Sequence, residues 1–328
     1  MREKLLDLLA CPVCGGDLFV AHEAERDDEH ILEGILTCRK ASHEYKIIRG
    51  VPRFAELDKI EQDKADTAEN FGWQWTHFTQ DDVKYNDQFL GWIQPVGKEF
   101  FQDKIILEGG CGKGRHTSLA AEWGAKEVVG VDLSAAVESA FAATKHLPNA
   151  HIVQADIFKL PFKKVFDYAF SVGVLHHTPD PKRAFLSLAS KVKKGGYISA
   201  WIYGAENNEW ITNYVNPVRT GFTSKISQPI LYQLSKLPTL GVFLATKLVY
   251  KPLAKTVINR KLFYHEYLTH LGGFGWREQH NIVFDHLVAP TAFYISKQEF
   301  ETWWQEAHAK DVKITWHNEN SWCGFGEL

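Results

Sequence analysis

The chain lacks any apolar run that approaches the roughly 18 residues of a membrane-spanning helix. It also lacks the pattern of a signal peptide, because Arg2, Lys4 and Asp7 interrupt a short leucine stretch that leads directly to Cys11. Cysteine is scarce, and five such residues argue against a disulfide framework and favour metal binding in a reducing compartment. We therefore expect a cytoplasmic protein.

Negative charge is missing from one long segment. Between Trp210 and His265 there is no Asp or Glu, whereas Lys and Arg occur eight times, although the net charge of the whole chain is -3 and argues neither for nor against nucleic acid. Helical apolar spacing at 229–234 and 240–250 predicts helices packed on a main domain with solvated lysines. The alternative is a surface for an anionic acceptor, a nucleic acid, or a membrane that holds a lipid-linked acceptor.

A glycine-rich turn follows the apolar strand-like run Ile105–Glu108. Its three glycines stand at alternate positions: Gly110, Gly112 and Gly114. Backbone amides can approach a ligand closely at such a turn, where side chains would block it. The spacing excludes a dinucleotide fingerprint, because Arg115 and Thr117 occupy the required third glycine positions, and it excludes a P-loop, because Arg115 replaces the lysine.

Further acids follow the next two strand-like runs. Asp132 ends the run at 128–132, and Asp156 follows the third run. The fourth run, 166–175, leads into His176 and His177. This order resembles class I S-adenosylmethionine (SAM) methyltransferases over roughly residues 100 to 204, in which the second-strand acid binds the ribose hydroxyls. The resemblance implies that SAM is bound by Glu108, Gly110, Cys111, Gly112, Gly114, Asp132, Leu133, Asp156, Ile157 and Gly173.

The resemblance implies an α/β fold with a Rossmann-like, doubly wound, seven-stranded and mostly parallel sheet. Alternating strand-like and helix-like runs agree with crossover helices on both faces of such a sheet. After the fourth strand, Asp180 and Pro181 are expected to begin a helix that Gly195 and Gly196 end.

The amino-terminal segment has metal-ligand spacing. Cys11 and Cys14 form a C-x-x-C pair, and Cys38 lies in a later hairpin-like segment. The segment resembles the zinc-ribbon-like methyltransferase-activator family, but Ala41 stands where that pattern has its fourth cysteine. The resemblance implies a structural zinc bound by Cys11, Cys14, Cys38 and His43. A ribbon with merely reduced cysteines, or a site closed by another residue, are the alternatives.

We divide the chain into five parts: a zinc-ribbon-like module at 1–54, a linker and helical cover at 55–101, a SAM-binding core at 102–204, a basic helical cap at 205–275, and the completion of the sheet at 276–328. In the cover, Trp75 or Phe78 is placed near the cofactor by the resemblance, and aromatic packing of linker onto domain is the alternative.

The acceptor end of the site is less clearly marked. A Phe-Asp-x-Leu-x-x-Pro run resembles a segment that folds over the active site in several family members, which makes Arg277, His280, Asp285 and Tyr294 candidate acceptor contacts. Their alternative role is in the packing of a connecting loop. His177 or His176 is the candidate general base for a hydroxyl acceptor, and the alternative is that these histidines hold their loop through hydrogen bonds.

These observations predict a SAM-dependent methyltransferase that acts at an oxygen or nitrogen of a small or lipid-linked metabolite, with peripheral membrane contact through the basic cap. The motif Asn-Pro-Pro-Tyr of nucleobase-amino and glutamine methyltransferases is absent, because Ser171 begins the sequence Ser-Val-Gly-Val-Leu at that place. Modification of transfer RNA is the alternative within enzymes, with RNA as the less favoured partner. A SAM-binding scaffold without catalysis is the alternative outside them.

Overall fold

The computed structural model describes residues 1–55, 62–77 and 85–328. Its strands are β1 (Leu18–Asp27), β2 (His30–Cys38), β3 (Glu44–Ile48), β4 (Val51–Arg53), β5 (Ile105–Gly109), β6 (Glu127–Asp132), β7 (Ala150–Gln154), β8 (Phe166–Val172), β9 (Val192–Tyr203), β10 (Lys310–His317) and β11 (Ser321–Glu327). Its α-helices are α1 (Gln62–His77), α2 (Tyr85–Trp92), α3 (Arg115–Glu122), α4 (Val137–Thr144), α5 (Pro181–Ala189), α6 (Asn216–Gly221), α7 (Gln228–Leu234), α8 (Lys236–Ala245), α9 (Lys251–Leu253), α10 (His265–Leu271), α11 (Trp276–Val288) and α12 (Lys297–Glu306). The side chains of Trp75 and Phe78, the predicted cover residues, lie outside the described part.

The described strands form one sheet in the order β1-β2-β3-β4-β7-β6-β5-β8-β9-β11-β10. Strands β7, β6, β5, β8 and β9 run parallel, and β11 is antiparallel to β9 and β10. Their runs of buried apolar residues suit a sheet that is covered on both faces. The α/β class is confirmed. The described sheet has eleven strands and not the predicted seven, because the amino-terminal strands β1 to β4 join the edge of the seven strands β5 to β11.

The amino-terminal strands reach the main sheet through β4. Strands β1 to β4 pair antiparallel with one another, and β4 pairs parallel with β7 at the pair Arg53–Gln154. Val51 of β4 is fully buried against Cys111, Val137 and Ile152 of the main domain. The amino-terminal module is therefore packed against the glycine-rich turn as well as against the sheet edge.

Helix α5 begins as predicted but ends early. The Asp180 carboxylate accepts a hydrogen bond of 3.0 Å from the Arg183 amide, and Pro181 is the first helical residue. The helix stops at Ala189, and both Gly195 and Gly196 lie within β9, so the predicted glycine terminator is wrong. The reason is long-range: β9 pairs with β8 and β11, and Leu328 exchanges backbone hydrogen bonds with the two glycines.

The chain between β9 and α12 is helical, as expected for the cap. In one of its helices, however, the apolar side faces solvent and not the protein interior. Helix α8 and the π-helical turn after it leave an apolar stripe exposed: Leu237, Leu240, Leu244 and Leu248, of which Leu237 is 77% exposed. Its buried side is polar, because Ser235 bonds the His280 ring at 2.8 Å and Thr246 bonds Gln279 at 3.1 Å. The expectation that this apolar face packs on the main domain is wrong. Among the described residues, no helix combines the length and apolar character needed to cross a bilayer.

Candidate cofactor cleft and metal cluster

A cleft lies at the carboxyl ends of β5 to β8, where parallel sheets of this kind hold ligands. Its volume of about 290 Å³ is close to the lower end of the roughly 300–1,000 Å³ of small-molecule pockets. The predicted cofactor residues on its wall are Gly110, Cys111, Gly112, Asp132, Leu133, Asp156, Ile157 and Gly173. The structure therefore brings together eight of the ten residues selected from the sequence.

The glycine-rich turn needs glycine for steric reasons. Gly110 has a φ of +79°, and a Cβ atom built there would lie 2.3 Å from a methyl carbon of Val174. Gly114 has a φ of +82° and approaches the backbone of Ala140, where a Cβ would lie 3.0 Å from its Cα. Gly114 is not on the cleft wall. It lets the turn pass close to α4.

Asp132 organises the turns on either side of it. One carboxylate oxygen accepts a hydrogen bond of 2.8 Å from the Gly112 amide. The other accepts from the Ser134 amide at 2.8 Å and from its hydroxyl at 2.7 Å. Asp156 accepts from the Phe158 amide at 2.9 Å. Both acids thus stand at the cleft wall in fixed orientations, as ligand recognition requires.

Glu108 lies beneath the turn and not on the cleft wall. Its side chain is buried, accepts a hydrogen bond from the Thr117 hydroxyl, and lies 3.2 Å from Nδ1 of His116. These contacts connect the end of β5 to the first turn of α3. The structure therefore places Glu108 where it supports the turn from below.

The far end of the cleft is formed by His177, Tyr203, Asp285 and His286. Burial lowers the pKa values of His177 and His286 to about 4. Burial raises the pKa of Asp285 to about 6, although hydrogen bonds from Gln74 and Tyr203 oppose that rise. This end consequently holds neutral imidazoles and a carboxyl group that titrates near neutrality.

His176 lies behind this wall. It is fully buried, and neither ring nitrogen has a hydrogen-bond partner among the described residues. Its ring packs at 4.0 Å between centroids against Tyr203, and its carbonyl accepts from the Phe293 amide at 2.8 Å. His177, by contrast, both lines the cleft and hydrogen bonds the Thr291 carbonyl, which connects its loop to the segment after α11.

The four candidate acceptor contacts do not gather at one place. Asp285 lines the cleft, whereas His280 is buried inside the cap, where its ring also lies 3.1 Å from the Tyr232 carbonyl. Tyr294 packs behind Tyr203, at 5.7 Å between ring centroids, and Arg277 is not on the cleft wall. The alternative of a connecting loop does not fit Arg277, His280 and Asp285, because these residues lie on helix α11.

Several residues on the cleft wall were not selected from the sequence. Trp201 and Tyr203 stand two residues apart at the end of β9, and alternation along a strand puts both on one face. Thr67, Phe71 and Gln74 line the cleft from α1 at helical spacing. These periodicities were legible in the sequence, but only the fold shows which face meets the cleft.

The amino-terminal module holds a compact donor cluster. The ligand atoms of Cys11, Cys14, Cys38 and His43 all lie within 4.8 Å of one another. Sγ of Cys11 lies 3.3 Å from Nδ1 of His43, and the sulfur atoms of Cys14 and Cys38 are 3.4 Å apart. Burial opposes ionisation of Cys11, but hydrogen bonds led by that from Tyr45 lower its pKa to about 6. Three sulfur donors and one imidazole fit a tetrahedral zinc ion.

Family models match both parts of the chain. Residues 107–200 match the family described as a methyltransferase domain, and residues 2–50 match the family described as Trm112p-like protein. The chain joins a methyltransferase domain to a Trm112p-like module. Both resemblances expected from the sequence are confirmed, and the turn, Asp132 and Asp156 of the cleft lie within the part that matches the methyltransferase domain.

Curated relatives of the chain include tRNA U34 carboxymethyltransferases. The enzyme of Pseudoalteromonas atlantica is 36% identical over 98 residues, and that of Pseudoalteromonas translucida is 31% identical over 134 residues. These matches cover 29% and 40% of this chain. They cover 30% and 37% of the relatives, so the chain spans about a third of the length of the curated relatives it matches.

Solved structures similar to the chain include a SAM-dependent methyltransferase from Mesorhizobium loti, at 29% identity and a TM-score of 0.30. That match covers 33% of this chain and 49% of the other. Another is the complex between the Haloferax volcanii Trm112 methyltransferase activator and a methyltransferase, at 13% identity and a TM-score of 0.45, covering 80% of this chain and 96% of the other.

The curated relatives overturn one expectation. The predicted small or lipid-linked acceptor, with its membrane contact and with RNA as the less favoured partner, is wrong, because the matching enzymes are named for tRNA. The reason lies in how charge was weighed. The segment without acids between Trp210 and His265 was given too little weight, because a polyanion is bound by local charge and not by the net charge of the chain.

Proposed function

We propose that this chain transfers the methyl group of SAM to a nucleoside of transfer RNA. The observation that supports this most directly is the convergence of the glycine-rich turn, Asp132 and Asp156 in a cleft of a methyltransferase domain, in a chain whose curated relatives modify tRNA by name. The fused Trm112p-like module and the basic cap add to this support.

The cofactor side of the proposal assigns a role to each wall residue. Asp132 would accept hydrogen bonds from the ribose hydroxyls, and Asp156 with Ile157 would contact the adenine. The turn at Gly110 to Gly112 would let the backbone approach the methionine part, because a side chain at Gly110 meets Val174. SAM, when bound, supplies a methyl carbon on a good leaving group, so the protein chiefly has to align the acceptor and exclude water.

The acceptor side of the proposal rests on His177 and Asp285. A backbone carbonyl can only accept a hydrogen bond, so Nδ1 of His177 must carry the proton that it donates to Thr291. This leaves Nε2 as the unprotonated nitrogen. With its pKa lowered to about 4, His177 is neutral at working pH and can accept a proton from a hydroxyl or ring nitrogen. Asp285, with a pKa of about 6, is a second group on the cleft wall that can hold a proton.

The cap is proposed as the part that binds the RNA backbone. Lys251, Lys255, Arg260 and Lys261 are exposed on it, in a segment that contains no acid. Phosphate binding by such residues supplies much of the affinity of RNA-binding proteins. Exposed aromatic side chains nearby, Tyr214 at 75% and Phe263 at 58% exposure, offer faces on which unpaired bases stack.

We further propose that the donor cluster of the Trm112p-like module binds a structural zinc through Cys11, Cys14, Cys38 and His43. A closed site with four protein donors leaves no position for substrate, so the ion would hold the module together. Such a small module has too little apolar core to fold securely unaided.

The test is transfer of an isotope-labelled methyl group from SAM to bulk tRNA, followed by nucleoside mass spectrometry. We expect label in one nucleoside, and Asp132→Asn and His177→Ala should each abolish most of it. The parent chain should be compared on tRNA and on a metabolite extract of the same cells. Label confined to metabolites would overturn the RNA assignment, and SAM binding without any labelled product would favour a scaffold.

A further inference from the structure

The junction between the module and the methyltransferase domain lies one residue away from the cofactor cleft. Arg53, the last residue of β4, pairs with Gln154, the last residue of β7. The Phe54 amide donates a hydrogen bond of 2.8 Å to the Gln154 carbonyl. The next residue along the chain, Ala155, lines the cleft. Strand β4 of the module therefore ends beside the end of β7, directly before the residues that line the cleft.

The side chain of Gln154 connects this junction to the cleft wall. It is 5% exposed, and its amide oxygen accepts a hydrogen bond of 3.1 Å from Arg53. Its amide nitrogen donates to the carbonyls of Leu133 at 2.9 Å and Ser134 at 3.3 Å. Gln154 thus uses both ends of its amide, one toward the module and one toward the loop that follows β6.

That loop carries the proposed ribose acid. Ser134 donates two hydrogen bonds to one carboxylate oxygen of Asp132, and both Leu133 and Ser134 line the cleft. A shift of the two carbonyls that Gln154 holds would move the groups that orient Asp132. The contact chain runs from Arg53 through Gln154 and Ser134 to Asp132 without a gap.

Arg53 is itself held firmly on the module side. Its guanidinium donates to the Ile48 carbonyl at 3.2 Å and to the Glu138 carboxylate at 3.1 Å. Glu138 lies in the first turn of α4, the helix that follows the Asp132 loop. Next to it, the exposed Arg49 makes an ion pair with the same carboxylate but does not bond Gln154. Two arginines therefore share one partner, and Arg53 is the one of the two that also bonds Gln154.

We propose that Arg53 and Gln154 are positioning residues through which the Trm112p-like module sets the affinity of the cleft for its donor. The inference rests on the proposed function for the identity of that donor. The inference goes beyond the proposed function, because it assigns to two residues at the module junction an effect on cofactor affinity that is separate from any contact with RNA. Because the affected loop forms the site, we expect loss of one such buried hydrogen bond to change the affinity about tenfold, which corresponds to about 1.4 kcal/mol.

The test is calorimetric titration of the full chain with S-adenosylhomocysteine, a product that keeps the adenosine. We expect Gln154→Ala to raise its Kd about tenfold. Gln154→Glu should weaken binding as much, because it keeps an acceptor for Arg53 but loses both donors. Arg53→Met, which keeps the apolar stem, should raise Kd about threefold to tenfold. Arg49→Ala is the matched control and should change Kd less than about twofold.

Turnover separates positioning from simple loss of structure. In Gln154→Ala, we expect KM for SAM to rise while kcat at saturating SAM stays within about twofold of the parent. If Gln154→Ala does not fold, Arg53→Met decides the question, since Glu138 keeps Arg49 as its partner. Parent-like Kd in both variants, or equal weakening in Arg49→Ala, would overturn the inference while leaving the proposed function intact. A parent chain that does not bind the ligand at all would overturn both.

Discussion

Nδ1 of His177 lies 2.7 Å from the carbonyl oxygen of Thr291. This contact fixes the tautomer of a buried imidazole, because the carbonyl requires a proton on that nitrogen. It also joins the loop after β8 to the segment after α11, two parts of the chain separated by 114 positions. The orientation of the candidate base therefore depends on the segment after α11 being folded against the core.

We expect His177→Ala to lower kcat about a hundredfold, the lower part of the range for general-base catalysis. Kd for S-adenosylhomocysteine should remain within about twofold of the parent, since the imidazole acts on the acceptor. His176→Ala, which removes an imidazole behind the wall, serves as the comparison. Equal losses of kcat in the two variants, measured in single-turnover assays, would remove His177 from its assigned role.

Asp285→Asn should change how stability depends on pH. A buried carboxyl with a raised pKa binds its proton more tightly in the folded state, so its stabilising contribution is complete below the unfolded pKa near 4 and is lost as pH rises through about 6. The amide cannot lose a proton. Urea titrations should therefore show the variant gaining about 2 kcal/mol relative to the parent between pH 4 and pH 7. A difference in the free energy of unfolding that does not vary with pH would show that the pKa of Asp285 is not raised.

Gly110→Ala tests the steric need for glycine in the turn, with Gly195→Ala as its control. Both glycines have positive φ, at +79° and +77°, but a Cβ at Gly195 meets nothing within 4 Å. Each substitution should cost about 1–2 kcal/mol of stability from the left-handed backbone. Only Gly110→Ala should also abolish ligand-induced thermal stabilisation. Retained stabilisation in Gly110→Ala would contradict the proposed approach of the backbone to the ligand.

Metal analysis by plasma mass spectrometry tests the donor cluster. We expect about one zinc per chain, lost in Cys38→Ser and His43→Ala and retained in His43→Cys, which restores four sulfur donors. Cys323→Ala is the control, because Cys323 is buried in β11, outside the cluster. Chelation should lower Tm for the parent but not for His43→Ala. Stoichiometric zinc in Cys38→Ser would place the ion elsewhere.

Replacing Lys251, Lys255 and Lys261 together by Gln tests the cap as an RNA-binding surface. If each contacts a phosphate, the slope of log K against log salt should become shallower by about 0.7–0.9 for each lysine. Lys310→Gln, on an exposed strand of the sheet, should leave the slope unchanged. Binding isotherms of tRNA at several salt concentrations measure this directly, and an unchanged slope in the triple variant would exclude the cap.

The sequence predicted the parts of the fold that depend on local pattern. The apolar runs ending in Glu108, Asp132 and Gln154 form adjacent parallel strands, because continuous apolar sequence suits strands that are buried on both faces of the sheet. The acids and glycines that follow them met at one edge because parallel strands end together.

What failed depended on distant partners. Gly195 looked like a helix terminator, but the carboxyl-terminal residue Leu328 pairs with it and makes it part of a strand. The apolar periodicity of α8 predicted an apolar stripe along the helix, but it could not predict whether that stripe faces the protein or the solvent. The orientation of α8 follows from two hydrogen bonds to α11: Ser235 bonds the ring of His280, and Thr246 bonds the side-chain amide of Gln279.

The pairing of β4 with β7 also bears on assembly. A sheet edge left open presents unpaired backbone groups that recruit other chains, and here the covering strand is encoded upstream of the edge it covers. Because both belong to one polypeptide, their pairing is intramolecular and does not depend on the concentration of the protein. The edge is thus protected at one-to-one stoichiometry, even in dilute solution.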